Sequence, residues 1–251
     1  MMSKRPNNKM YNFGDLQSQD DVRREFIANL SHELKTPIFN IQSYILTLLD
    51  GVDDENTKNE YLKKANRNIR RMIRLVRDMD VLAHLESSKL VLNKEGYNLT
   101  EQIDDVLEQV SDRIHDLDIK VIQDYDTSVT RIAFADPERM EQVFLNLVSN
   151  AVKYSKPDFK DRLIKFKIEE FDNFFLISIE DNGIGIAKND IQRIFERFFR
   201  ADRSRSVKGK LGSSGLGLAI AKHIIEAHGM VIRVTSNLGI GTTFSITIAK
   251  P

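Results

Sequence analysis

The chain has 251 residues, with 37 Lys+Arg against 37 Asp+Glu and no cysteine. That length holds one large domain or two smaller ones. Zero net charge gives no global attraction to nucleic acid, and the missing thiols exclude disulfides and thiolate metal sites, as suits a reducing cytosol.

Residues 1–19, "MMSKRPNNKMYNFGDLQSQ", are polar and aperiodic and read as a tail or linker. No apolar run approaches the ~20 residues of a membrane span, and no signal-peptide core is present. The absence of a span leaves room for a membrane tether or sensor region N-terminal to this chain. Residues 20–88 read as all-helical. In the first helix Ile27, Leu30, Leu34, Ile38, Ile41, Ile45 and Leu48 recur three or four apart, the period of one buried stripe. At ~100° per residue, His32 leaves from nearly the opposite face, and Thr36 follows it one turn on. A lone helical histidine is ordinarily a solvated surface residue. Pro37 weighs against that reading. It removes the helical partner of the Glu33 carbonyl and is expected to bend the helix, at a cost of ~3 kcal/mol in an ordinary helix interior.

"DGVDDENTK" (residues 50–58) breaks the helix with a glycine and turn-forming acids. The second helix carries Leu62, Ala65, Ile69, Met72, Val76, Met79 and Ala83 at alternating steps of three and four, a heptad seam. A hairpin of two long amphipathic helices covers its stripe best by pairing with a second hairpin. A homodimeric four-helix bundle is therefore expected; the alternative is a hairpin packed on its own C-terminal domain.

Residues 89–251 change to mixed α and β. "LVLNKEGYNL" reads as a strand and turn, residues 100–115 as a helix, and residues 137–154 as a helix with proline near its start. "LIKFKIEEFDNFFLISIED" is two alternating strands around "DN". A helix at residues 216–227 and strands around "MVIRVTS" and "TTFSITI" complete the pattern. Clustered strands with separate helices predict an α+β two-layer sandwich, not a doubly wound sheet.

This half holds residues suited to a phosphate ligand. "NLVSNAVKYS" places Asn146, Asn150 and Lys153 on one helical stripe, and an Asn carbonyl can bind a hard cation such as Mg²⁺. A solvated polar face has the same look. "DNGIGI" (residues 181–186) ends a strand with an acid and two glycines, which allow close backbone approach to a ligand. "GSSGLGLAI" (residues 212–220) runs into a helix whose free N–H groups can bind an anion. "GIGTTF" (residues 239–244) is either a β-turn or a hydroxyl-bearing rim. "RIFERFFRADRSRSVKGK" (residues 193–210) has seven Lys/Arg and two acids, a solvated loop or a lid over a polyphosphate.

Taken together and in this order, the segments resemble the catalytic core of a sensor histidine kinase, from about residue 20 to the C-terminus. "SHELKTP" is similar to the family's H box, "NLVSNAVKYS" to its N box and "DNGIGI" to its first glycine box. "FERFFR" is similar to the F box and "GSSGLGLAI" to the second glycine box. The resemblance implies a dimerisation and phosphoacceptor hairpin followed by an ATP-binding domain of the Bergerat type. It implies His32 as phosphoacceptor, Glu33 as its acid/base neighbour and Thr36 as the polar residue tied to phosphatase activity. For the nucleotide it implies Asn150 as Mg²⁺ ligand, with Asn146, Lys153 and Tyr154 lining the site. Asp181 would accept the adenine amino group, with Gly183 and Gly185 giving clearance beside Ile186. Arg197 and Arg200 would lie near the γ-phosphate, Gly215, Leu216 and Gly217 would close the lid, and Thr243 would supply a hydroxyl near adenine.

The chemistry expected is attack of a neutral imidazole nitrogen on the γ-phosphorus of ATP. Glu33 would accept the proton from the other ring nitrogen, and the phosphoryl group would pass to an aspartate of a response regulator. Two other classes compete. An ATP hydrolase of the same fold needs a glutamate where this chain has Asn146, and an amide cannot serve as that base. A nucleotide-binding dimeric scaffold without kinase activity leaves His32, Glu33 and Asn150 unexplained.

Overall fold

The computed structural model describes residues 13–86, 91–156, 159–201 and 214–251, without the side chains of residues 13–23, 25 and 84–86. The chain falls into two compact units, Met1–Val76 and Arg77–Pro251. The first unit is built from α1 (Phe13–Leu49) and the start of α2 (Glu55–Glu86). Helix α1 begins at Phe13, so residues 13–19, expected as tail, are helical. Extending an existing helix costs far less than nucleating one, even through a polar stretch. Residues 1–12 lie outside the described residues.

The turn between the helices is set by Asp54. Its carboxylate accepts the Thr57 N–H at 2.8 Å and the Thr57 hydroxyl, capping α2. These bonds hold the Asp54 carboxyl below the usual carboxylate range. Helices α1 and α2 pack antiparallel, with the Tyr44 and Tyr61 rings 5.8 Å apart and Arg71 reaching Glu33 further along.

The heptad seam expected on α2 divides between two faces. Ala65, Leu75 and Leu82 are buried, and Met72 and Met79 are half-buried. Leu62, Ile69, Ile73 and Val76 instead remain about half exposed. Helix α1 divides in the same way. Leu30, Leu34, Ile41 and Leu48 are partly covered, while Ile27, Ile38 and Ile45 stand exposed. Pro37 lies inside the continuous helix and alone is buried among the described side chains of α1. One apolar face of the hairpin closes the helix pair, and the other is left without cover in a single chain.

The second unit is an α+β sandwich. In chain order it runs β1 (Glu95–Asn98), α3 (Leu99–Gln109), α4 (Ser111–Asp116), β2 (Ile119–Asp124), β3 (Ile132–Ala135), α5 (Pro137–Lys153), β4 (Arg162–Glu170) and β5 (Phe174–Asp181). Then come α6 (Gly217–Ala227), β6 (Ile232–Asn237) and β7 (Gly241–Ala249). Five strands form a mixed sheet in the order β2-β4-β5-β7-β6, parallel only between β2 and β4; β1 and β3 form a small antiparallel pair. Strand alternation puts Ile164, Phe166, Phe175, Ile177, Ile179, Phe244, Ile246 and Ile248 into the core. Helices α3, α5 and α6 cover it with Ile103, Val106, Val143, Phe144, Leu147, Ile220 and Ile224. The other sheet face is polar, where the Ser178 and Ser245 hydroxyls meet at 2.9 Å.

The helix expected over residues 100–115 is two helices, interrupted at Val110. That residue is buried, leaves helical geometry (φ −109°, ψ 4°) and bonds back to Leu107 at 3.3 Å. Strands β2 and β3 were not expected, being short and flanked by turn-forming residues. In the described part of the "LVLNKEGYNL" segment, residues 91–99, the strand is Glu95–Asn98. The start of α5 is fixed by Asp136, which caps it through the Arg139 N–H at 3.1 Å and also accepts the Asn93 N–H at 3.0 Å. His228, at the end of α6, accepts the Asp136 N–H on Nε2 at 3.0 Å, so its Nδ1–H donates to the Ile224 carbonyl at 2.8 Å. Burial lowers its pKa, and this imidazole is a neutral structural tie between α5 and α6.

Candidate functional site

On the hairpin, α1 presents His32 to solvent, on the side away from half-buried Leu30 and Leu34, as its position in the helical repeat requires. Among the described residues its imidazole has no hydrogen-bond partner. Thr36 is exposed one turn on, and its hydroxyl donates to the His32 carbonyl at 3.3 Å, which leaves its oxygen free to accept. Glu33 points elsewhere. Its Oε2 accepts a hydrogen bond from Arg71 Nη2 at 2.7 Å, so the structure brings Glu33 to α2 and not to the imidazole.

The sandwich gathers a second constellation where the C-terminus of α5, the end of β5 and the β6–β7 turn converge. Asp181 ends β5 on the core-facing side, in register with Thr242 of β7. Its Oδ1 accepts the Gly183 N–H at 2.8 Å. Burial pushes its carboxyl up to about 6, while the backbone N–H groups of Gly183 and Thr242 pull the other way. Tyr154, the C-cap of α5, turns its carbonyl to the Ile184 N–H at 3.0 Å. The Ile186 N–H donates to Ser236 Oγ at 2.8 Å, and Ser236 Oγ lies 2.9 Å from Thr242 Oγ1.

The glycines also allow close approach within the protein. A Cβ at Gly183 would lie 2.5 Å from the Tyr154 carbonyl oxygen. At Gly185, whose φ is +68°, it would lie 2.1 Å from the Asn237 carbonyl oxygen. Their clearance is taken up by the protein's own backbone, which locks this loop against α5 and the β6–β7 turn. Thr243 is also placed differently. It pairs with Glu180, so strand alternation turns it to the opposite sheet face from Asp181. Thr242 and Ser236 carry the hydroxyls on the Asp181 side. The run Phe244, Ile246, Ile248 held that signal, because a period of two makes Thr242 inward-facing.

Asn146, Asn150 and Lys153 share a face of α5 as the spacing predicts. Asn146 Nδ2 is buried and has no hydrogen-bond partner among the described residues, and a Cβ at Gly217 would lie 3.0 Å from Asn146 Oδ1. A buried donor without an acceptor is costly, and it suits a ligand that brings oxygen atoms, such as a nucleotide. Asn150 is half-buried. Lys153 Nζ donates to the Tyr154 hydroxyl at 3.1 Å. Gly215 is anchored through its carbonyl by the Phe198 N–H at 3.0 Å, and half-buried Arg197 and Arg200 flank that anchor. Buried Leu216 caps α6. The basic lid segment and the start of "GSSG", residues 202–213, lie outside the described residues. Among the described residues no cluster of three or more His, Asp or Glu could hold a metal. A magnesium ion, which keeps waters and substrate phosphates as ligands, needs only one or two oxygens from the protein, and Asn150 can offer one.

Comparison with known proteins matches both parts of the chain. The family described as "His Kinase A (phospho-acceptor) domain" covers residues 22–88, and "Histidine kinase-, DNA gyrase B-, and HSP90-like ATPase" covers residues 135–251. The sensor protein kinase WalK of Staphylococcus aureus is 36% identical over 245 residues, 95% of this chain. The chain spans 56% of that relative's length, and 38% of the same-named proteins of several strains. Among solved structures, histidine kinase ThkA in complex with response regulator protein TrrA superposes with a TM-score of 0.69 at 25% identity, over 97% of this chain and 68% of that one. Full-length ShkA in complex with AMPPNP gives 0.64 at 25% identity, over 90% and 46%.

Proposed function

Because this chain belongs to the sensor histidine kinases, we propose that it moves the γ-phosphoryl group of ATP to His32 and then to an aspartate of a response-regulator receiver domain. The observation that carries this reading is the exposed imidazole of His32, without a partner among the described residues, within the matched phosphoacceptor domain. A lone pair on one ring nitrogen forms the N–P bond, the bond to the β–γ bridging oxygen breaks, and ADP leaves. The proton on the other ring nitrogen goes to Glu33. Asp181 accepts the adenine amino group, Asn146 donates to a ligand oxygen, and Asn150 holds Mg²⁺, which neutralises phosphate charge when bound. The AMPPNP bound by ShkA and the regulator bound by ThkA support a nucleotide and a receiver as partners. We assign residues 20–88 to dimerisation and phosphotransfer and residues 89–251 to ATP binding. Among the described residues no helix is long and apolar enough to cross a membrane. Incubation with γ-labelled ATP and Mg²⁺ should place label on the protein, and adding a phosphorylatable receiver should remove it; a chain that binds ATP and stays unlabelled would contradict the reading.

The uncovered apolar faces of α1 and α2 support a homodimer. Replacing Ile69 and Ile73 together by Glu, both on the uncovered face, should bury charge at the interface and convert a two-subunit light-scattering mass to one. An unmodified chain already at the mass of one subunit would refute the dimer.

Thr36 separates two activities. Its oxygen can accept from a water aimed at a docked phosphoaspartate, whereas attack by the imidazole does not use it. Thr36→Ala should therefore leave labelling of His32 within about twofold of wild type and slow dephosphorylation of the regulator by ~10-fold or more. Equal loss of both activities, or neither, in parallel rate measurements would make Thr36 a plain surface residue.

A further inference from the structure

We propose that Arg71 is a positioning residue that holds the Glu33 carboxylate off the His32 imidazole, so that Glu33 can take the proton only when this ion pair opens. The inference rests on the histidine-kinase reading above. Neighbouring helical positions diverge by ~100°, so His32 and Glu33 leave α1 in different directions. His32 is exposed to solvent, whereas Glu33 is half-buried towards α2. Arg71 lies three residues after half-buried Asn68 and four before buried Leu75, which puts it on the face of α2 that meets α1. Its guanidinium meets Glu33 Oε2 at 2.7 Å, with the two side chains only 27% and 23% exposed. The Lys58–Glu55 pair, by contrast, spans 3.6 Å with its carboxylate 78% exposed.

While its Oε2 is held on the guanidinium of α2, the Glu33 carboxylate is turned away from the imidazole and is not placed to receive its proton. The two partners sit on different helices and are 38 residues apart in the chain, so a small slide or rotation of α1 against α2 lengthens the contact directly. Freed from Arg71, the carboxylate can take the proton that the imidazole loses as its other nitrogen bonds to the γ-phosphorus. Helix displacement and base availability are then one event. Arg71 touches no reacting atom in this arrangement; it acts through Glu33.

The test uses the full chain, with label transfer from γ-labelled ATP measured in the presence of Mg²⁺. Arg71→Gln should raise the rate at saturating ATP several-fold and leave KM for ATP unchanged. Arg71→Lys keeps the charge and the fold but lacks the planar fork, and should give a smaller rise. In a Glu33→Gln background, Arg71→Gln should have no further effect, which a merely structural arginine would not produce. Unchanged or slower labelling in Arg71→Lys, or the same acceleration without Glu33, would overturn the proposal. A wild-type chain that takes no label would instead overturn the kinase reading, and this inference with it.

Discussion

His32→Gln should reduce transfer of label from γ-labelled ATP to background while leaving nucleotide affinity unchanged. Glutamine fills similar space and stays exposed at this position of α1, so the hairpin keeps its packing. It has no nitrogen lone pair able to attack phosphorus, so the N–P bond cannot form. The nucleotide constellation lies in the other compact unit and does not include residue 32. Titration with a fluorescent ATP analogue and label counting on the same preparation check both halves. Residual labelling at the wild-type rate would move the acceptor elsewhere, and a parallel loss of nucleotide binding would point to misfolding.

Asp181→Asn should weaken ATP binding by roughly 10- to 150-fold, the value of a hydrogen bond to a charged group, at ~1.5–3 kcal/mol. Nucleotides without the adenine amino group should lose little. The same substitution should make the protein without nucleotide more stable at neutral pH. Burial raises the folded-state pKa of Asp181 to about 6 from 3.8. The folded chain therefore holds this proton more tightly than the unfolded chain. Stability from this group is complete below about 3.8 and is lost as pH rises through about 6, where a partly buried carboxylate must ionise. Allowing for partial solvation, the penalty is about 2 kcal/mol. The amide avoids it and still accepts the Gly183 N–H. Melting curves should show Asp181→Asn several degrees above wild type at pH 7.5 and level with it near pH 4. Equal loss for all nucleotides, or no stability gain at pH 7.5, would count against this role for the carboxylate.

The parts of this fold legible in the sequence are those fixed by local rules. Asp54 after "DGV" and Asp136 before Pro137 announce helix starts, and both cap as their chemistry requires. The β4–β5 pair follows from alternation around Asp172 and Asn173. The face carrying Asn146, Asn150 and Lys153 follows from helical spacing. What stayed hidden depends on contacts distant in the chain. The two faces of α2 could not be told apart from one heptad register, so Leu75 and Leu82 went unrecognised as its most buried members. The break at Val110 comes from burying a β-branched residue where the chain leaves α3 for α4. That Gly183 and Gly185 also make room for the backbone of Tyr154 and Asn237 was hidden, because those residues lie far away in sequence. The exchange of Thr243 for Thr242 was avoidable, since one step along an alternating strand reverses the face. The Arg71–Glu33 pair joins two helices and leaves no periodic trace.

The most direct test of the central claim is to locate the phosphoryl group on the chain after incubation with ATP and Mg²⁺. Peptides prepared at alkaline pH and read by mass spectrometry should carry phosphate on His32, and brief acid treatment should remove it. Ser31 and Thr36 lie close by on α1, with hydroxyls bonded to the carbonyls of Ile27 and His32. Acid-stable phosphate on either of them would contradict the account.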